Sequence, residues 1–296
     1  MSTDQLCRRL QGAMTALVTP FWNGEVDYPS LGAFVDWQIS QGINRLVPCG
    51  TTGEAPTLTW DERIGVIRCC VERAAGRIPV IAGTGTNNTE ATIAFTEAAR
   101  AFGADGIVRH FETVAAKVDI PLVVYNVPSR SGVDLAPATI ARLAAIPSVV
   151  GIKDATGDLS RPMALSAAVG DRLVQLSGHD ATAFGFNTMG GSGTISVVAN
   201  VAPRLMVEMH DALRLGDVHT ARALNHRLRP LVSALELETN PAPVKHALHL
   251  TRGMAPDLRL PLVPVERETA VAIGRALVAL EASADEPLPG RTASRA

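Results

Sequence analysis

The feature that most constrains the fold is a recurring alternation of short apolar runs with segments of helical periodicity. The runs fall at Met14–Thr19, Arg45–Cys49, Pro79–Gly83, Gly106–Val108, Leu122–Asn126, Val149–Lys153, Leu173–Ser177 and Gly193–Val197. Several are near-continuous in Val, Ile and Leu, the pattern of parallel strands buried on both faces. Between them lie helix-length segments such as Ser30–Gln41, Trp60–Ala75, Glu90–Ala101, Pro137–Ala145 and Arg161–Val169. Thr59 and Glu62 have the spacing of a capping box. Eight such repeats predict an α/β fold, a closed (β/α)8 TIM barrel. An open doubly wound sheet would want G-x-G-x-x-G after its first strand, and Val18-Thr-Pro-Phe is nothing of the kind. After the eighth run only helical patterns remain: Pro203–Arg214, Val218–Leu235, Ala242–Leu250 and Glu266–Ala282. The expected organisation is a barrel over 12–200, a C-terminal helical appendage over 201–282 and a disordered tail over 283–296, rich in Ser, Pro and Arg.

A chain of 296 residues, 47% hydrophobic, is long enough to bury such a core. Its net charge of −2 and lack of a polybasic run argue against nucleic-acid or membrane-surface partners. No apolar stretch reaches the roughly 20 residues that span a bilayer, and the N-terminus lacks the apolar core of a secretory signal. Cys7, Cys49, Cys69 and Cys70 have neither disulfide-scaffold density nor metal-ligand spacing, which fits a reducing cytoplasm. Lysine occurs only at Lys117, Lys153 and Lys245, whereas arginine is abundant. Each lysine therefore needs its own account.

In a barrel, reactive groups sit where strands end and the following loops begin. The sixth run, Val149-Val-Gly-Ile-Lys153, ends in a lysine. An ammonium held in a barrel mouth is poorly solvated, which favours the free, nucleophilic amine. The competing reading is an ion pair with Asp154 or a neighbouring acid. Lys117 and Lys245 fall in helical patterns and are read as structural. The fifth run places Tyr125 at its end, where a phenol can relay protons; a core tyrosine with a satisfied hydroxyl is the bland alternative. Arg130 follows, with a planar fork suited to a carboxylate. Gly50-Thr-Thr-Gly-Glu54 can turn tightly and offer amides and hydroxyls of Thr51 and Thr52 to an anion, or can merely start a helix. The eighth run, entered through glycines, sets Ile195 beside a close backbone approach; tight packing alone explains the glycines equally well.

Gly50-Thr-Thr-Gly-Glu54, Tyr125-Asn-Val-Pro-Ser-Arg130 and Gly151-Ile-Lys153-Asp-Ala-Thr-Gly together resemble the dihydrodipicolinate synthase/N-acetylneuraminate lyase family. The resemblance runs from about Gly12 to Val265. It implies a class I aldolase-type lyase in which Lys153 forms a Schiff base with pyruvate and Tyr125 transfers protons. Thr51 would link the relay, Thr52 would hold the pyruvate carboxylate, and the main chain of Ile195 would line the pocket. The doubled threonine and the Ser129-Arg130 pair are most similar to members that add the enamine to aspartate semialdehyde, whose carboxylate Arg130 would bind. The product amine would then cyclise, displacing Lys153, with loss of water. The resemblance implies no metal or organic cofactor, and a homotetramer. A sugar-acid or 2-keto-acid aldolase keeps the imine and changes the acceptor. A catalytically impaired barrel retained for binding is the third reading.

One departure stands out. The family pattern carries a Thr-Pro-Tyr-Tyr segment on and after strand four, whose second tyrosine completes the relay from a neighbouring subunit. Here Asp105-Gly-Ile-Val108 runs straight into Arg109-His-Phe-Glu, leaving a strand of about three residues, shorter than usual, and no loop. Tyr28 lies too far upstream to replace it. A natural deletion, an engineered one, or a stretch of chain left out after Val108 would each produce this junction. The last is preferred, because losing half a barrel strand is destabilising, and it predicts a Val108–Arg109 Cα separation well beyond the usual ~3.8 Å. In lysine-inhibited family members an effector site lies at a subunit interface. Asn87 matches one of its positions, whereas Ala55, Pro56, Trp60 and Arg63 replace polar residues, which argues against such feedback.

Overall fold

The computed structural model describes residues 10–84 and 107–283. The chain divides into two compact units, one formed by Ala13–Gly85 with Ser196–Ala296, the other by Met1–Gly12 with Thr86–Ile195. The expected helix Glu90–Ala101, together with Cys7, Asn87, Gly106 and the tail beyond residue 283, lies outside the described residues.

In the unit containing Ala13–Gly85, β1 (Gly12–Ala16) runs parallel to β4 (Arg45–Val47), with Met14 opposite Arg45 and Ala16 opposite Val47. Between them come a small antiparallel hairpin, β2 (Phe21–Trp22) and β3 (Glu25–Val26), and helix α1 (Tyr28–Ser40). Asp27 caps α1 by accepting from the Ser30 amide, and Pro29 sits in the first turn, where a missing N–H leaves no bond unmade. Helix α2 (Trp60–Ala74) opens with the expected box: the Thr59 hydroxyl accepts from Glu62 N, and the Glu62 carboxylate accepts from Thr59 N at 2.8 Å. Tyr28 packs its ring against Gly65 of α2, where a Cβ would collide with it.

The third expected strand is reduced to one parallel bridge, Leu46 to Val80. Its backbone still follows β4, since Ile81 N donates to Leu46 O and Gly83 N to Pro48 O, each at 2.9 Å. Pro48 has no N–H to return, so the ladder stops there.

Helices α8 (Pro203–Arg214), α9 (Val218–Leu235), α10 (Ala242–Arg252) and α11 (Arg267–Ala282) belong to the same unit, α8 and α11 packing on α9 and α10 packing on α11. Buried Asn200 stitches this part to β1, accepting from Val18 N at 3.1 Å and donating to Ala16 O at 2.7 Å.

The second unit carries β5 (Leu122–Asn126), β6 (Val149–Asp154), β7 (Val174–Ser177) and β8 (Gly193–Ser196), neighbours in that order and all parallel. The short helices α4 (Pro128–Ser131), α5 (Pro137–Leu143), α6 (Arg161–Val169) and α7 (Ala183–Thr188) separate them. Val124, Ile140, Leu143, Val149, Ile152 and Leu165 form the centre of its apolar core.

Here the expected fourth strand fails. Ile107 and Val108 lie in a helix, α3 (107–117), that runs unbroken across Val108–Arg109, with the Thr113 hydroxyl donating to Arg109 O one turn back. No wide separation opens there: the helix joins Val108 to Arg109 directly. The physical reason is periodicity: apolar residues at 107, 108, 111, 114, 115 and 118 recur at helical spacing. Ile107, Val108 and Phe111 pack on the core as one helical face. A short apolar run was too brief to define a period of two. Lys117 ends this helix, exposed.

Candidate active site

Tyr125 and Lys153 occupy directly paired positions on the parallel strands β5 and β6, so both side chains emerge on the same face near the strand ends. Lys153 is half-buried, and its Nζ lies 4.2 Å from the centroid of the Tyr125 ring, a cation–π approach. Tyr125 is 39% exposed, so the pair faces an accessible space rather than the core. The expectation that Lys153 and Tyr125 lie together at neighbouring strand ends is met.

Asp154 does not pair with Lys153. It is buried, and its carboxylate accepts from Arg161 Nε at 3.3 Å, Asn126 Nδ2 at 3.2 Å and the Thr156 amide at 2.9 Å. Arg161 also donates to Leu135 O at 2.6 Å and to Asp134 Oδ1 at 3.1 Å, and Asn126 donates to the same Asp134 oxygen at 2.9 Å. This network joins the residue after Tyr125 to the residue after Lys153 and locks the strand ends in register. A buried charge kept this well bonded is not available to neutralise Lys153. Sequence reasoning missed Asn126 and Arg161 as partners, because the residues that converge come from separate stretches of chain.

Gly178, just beyond β7, was also missed. A Cβ there would lie 2.8 Å from Lys153 Cε and 3.0 Å from Ala155 Cβ. The Gly178 amide donates to Asp154 O at 2.6 Å. The missing side chain is the space through which the lysine stem passes. Arg130 sits on α4 and is exposed, while Ile195 is buried within β8.

Thr51 and Thr52 belong to the other unit. After β4 the chain turns through Gly50–Glu54, closed by Gly53 N and Glu54 N donating to Gly50 O and Thr51 O, each at 3.1 Å. The turn is entered and left through left-handed residues that are not glycine, Cys49 at φ 55° and Glu54 at φ 53°. Such backbone costs energy and persists where surroundings enforce it. Thr51 is half-buried and Thr52 buried; Thr52 Oγ1 accepts from Asn240 Nδ2 at 2.9 Å. With an amide proton on that lone pair, the hydroxyl's own proton remains to be donated elsewhere. Burial pushes the Cys49 thiol up to about 11 and the Cys70 thiol still further, so neither is a nucleophile near neutrality.

No helix among the described residues is long and apolar enough to cross a membrane. None of their His, Cys, Asp and Glu side chains form a group of three that could hold a metal ion.

Residues 9–280 match the model of the dihydrodipicolinate synthetase family. The chain is 46% identical over 283 residues to the 4-hydroxy-tetrahydrodipicolinate synthase of Rhodospirillum centenum, covering 90% of this chain and 97% of that one. It is 49% identical over 284 residues to the synthase of the same name from Chelativorans sp., covering 90% and 97%. Among solved structures it is similar to the chloride-inhibited dihydrodipicolinate synthase of Acinetobacter baumannii complexed with pyruvate. That likeness has a TM-score of 0.85 at 41% identity, covering 92% of this chain and 99% of that one. The shared fold is of the α/β, TIM-barrel-like kind. Because 90% of 296 residues is about 266, fewer than the 283 aligned, the Rhodospirillum relative holds residues within the matched span that this chain lacks.

Proposed function

The chain belongs to the dihydrodipicolinate synthetase family, and on that premise we propose that it is a 4-hydroxy-tetrahydrodipicolinate synthase, condensing pyruvate with L-aspartate 4-semialdehyde. The observation that carries the reading is the Lys153 amine lying on the Tyr125 ring at adjacent, in-register strand ends. The Lys153 nitrogen attacks the ketone carbon of pyruvate, and water leaves as the imine forms. The protonated imine draws electrons from the methyl group, which loses a proton to give the enamine. The enamine carbon bonds to the aldehyde carbon, and the aldehyde oxygen takes up a proton to become the product hydroxyl. The amine of the condensed chain then displaces Lys153, closing the ring and regenerating the enzyme. Tyr125 moves the protons of imine formation and release.

By the family resemblance, Thr51 links that relay, Thr52 donates to the pyruvate carboxylate, Arg130 clamps the carboxylate of the semialdehyde and the Ile195 main chain lines the pocket. The resemblance also supports a (β/α)8-type barrel with a C-terminal helical appendage, a homotetramer and a cytoplasmic place of action.

Turnover with pyruvate and aspartate semialdehyde, set against sugar-acid and 2-keto-acid cleavage, tests this reading. It predicts that only the semialdehyde reaction proceeds, and that Arg130→Ala raises the semialdehyde KM while sparing that of pyruvate. Efficient sugar-acid cleavage, unaffected by Arg130→Ala, would overturn it in favour of an aldolase with another acceptor.

A second reading is favoured by one observation. Helix α3 occupies the place where a strand and its tyrosine-bearing loop were expected, and the Rhodospirillum relative is longer within the matched span. A barrel lacking the last member of its relay would form the imine and turn over slowly. Imine trapping with negligible semialdehyde turnover identifies that case.

A further inference from the structure

Lys245 is the most deeply buried charge among the described residues, with no exposed surface, in the first turn of α10. It is ion-paired with Glu54, the last residue of the Gly50–Glu54 turn, whose own side chain is 1% exposed. Its ammonium also donates to Asp257 O at 2.7 Å and lies 4.2 Å from the centroid of the Phe21 ring. The other Glu54 oxygen accepts from the Arg259 amide at 3.2 Å. Two residues before Glu54, the Thr52 hydroxyl is held by Asn240, five residues before Lys245. The turn is therefore tied from two points of one C-terminal segment.

Stability alone does not explain this arrangement. Taking two charges out of water costs several kcal/mol per ion, and well-packed neutral residues of similar volume commonly serve the fold as well. A buried pair can instead give placement: a carboxylate and an ammonium meet in few geometries, and this one fixes a residue in a left-handed conformation that a free loop would leave. The tie is also specific in sequence. Glu54 directly follows Thr51-Thr52-Gly53, and a shift of the turn would move the Thr52 hydroxyl off Asn240.

We propose that Glu54 and Lys245 are positioning residues for substrate binding: their buried ion pair holds the Gly50–Glu54 turn so that the Thr52 hydroxyl proton is presented to the pyruvate carboxylate. The inference rests on the reading of Thr52 given above. It makes α10 part of the binding apparatus rather than a prop beside it.

The test measures the pyruvate concentration for half-maximal borohydride trapping, together with thermal unfolding, for the wild type, Thr52→Val, the double variant Glu54→Gln/Lys245→Met, and the triple combination. The double variant removes both charges while keeping shape. It is expected to remain folded, to be trapped at Lys153 to the same final extent, and to need about tenfold more pyruvate, the loss of one hydrogen bond to a charged group. In the Thr52→Val background the same pair of changes should add little, because the pair acts through Thr52.

A double variant with a lower melting temperature but an unchanged pyruvate requirement overturns the proposal, since the pair would then serve the fold alone. Should the double variant not fold, Glu54→Gln, which retains shape and an acceptor for the ammonium, gives the same reading. Failure of both to fold likewise assigns the pair to the fold and overturns the proposal. An untrapped wild type would instead sink the imine itself, and a Thr52→Val enzyme with wild-type pyruvate affinity would sink the role of Thr52. Each of those results removes the ground on which the pair stands and is distinguishable from failure of the pair.

Discussion

A parallel ladder puts Lys153 and Tyr125 opposite one another, and the amine rests against the ring proposed to exchange protons with it. Removing the phenolic oxygen while keeping the ring separates packing from proton transfer. Tyr125→Phe is expected to retain borohydride trapping at long incubation and to lower its rate by about 10²–10³-fold, the range of general acid–base catalysis; an unchanged trapping rate would remove the relay role. Gly178 supplies a second test of geometry. A methyl group 2.8 Å from Lys153 Cε must push the lysine stem aside, so Gly178→Ala should slow imine formation sharply while the melting temperature falls little. Normal trapping kinetics in that variant would mean that the lysine has room to spare.

At the scale of elements, what holds β5 and β6 together at the site is the polar cluster beneath it. Arg161 at the start of α6 reaches buried Asp154, exposed Asp134 and the Leu135 carbonyl, while Asn126 bridges the two acids. Arg161→Met strands the Asp154 carboxylate in the interior and is expected to destabilise the protein by about 3–5 kcal/mol, read as a fall in the urea midpoint. A loss below about 1 kcal/mol, the range of exposed pairs, would show that the cluster is solvated. These ties were illegible in the sequence because their partners lie far apart in the chain. Strand β6 was legible, since an apolar run ending in lysine is its own signal. Helix α3 was misread because Ile107-Val108 alone carries no period; the recurrence shows only when the window extends to Phe111, Val114 and Val118. Lys245 is marked in the sequence by its helical neighbours. It falls on the buried face of its helix with Val244 and Leu248, where a lysine must have a partner.

For the molecule as a whole, acid sensitivity is written into a buried histidine. Burial in α8 pulls His210 down to about 4 from an ordinary 6.5. Below pH 6.5 the unfolded chain takes up a proton that the folded chain refuses until about pH 4, so the unfolded state binds more protons in that window. The stability it confers is complete above pH 6.5 and is lost as pH falls from 6.5 towards 4, at up to about 1.4 kcal/mol per pH unit. Urea midpoints measured across that range should decline in the wild type and flatten in His210→Gln; parallel declines would show that other groups govern acid unfolding. The TIM-barrel-like class was readable from the alternation of runs and helices. The division into two units, cutting within β1 and β8, was not, because nothing local marks where long-range packing changes.

The proposed mechanism requires the nitrogen of one side chain to become covalently joined to pyruvate. Incubation with pyruvate and borohydride, followed by peptide mass mapping of wild type and Lys153→Ala, measures this directly. The wild type should carry one reduced pyruvate on the peptide containing Lys153, and Lys153→Ala should carry none. An adduct on Lys117 or Lys245, or equal labelling of the Lys153→Ala protein, would contradict the mechanism.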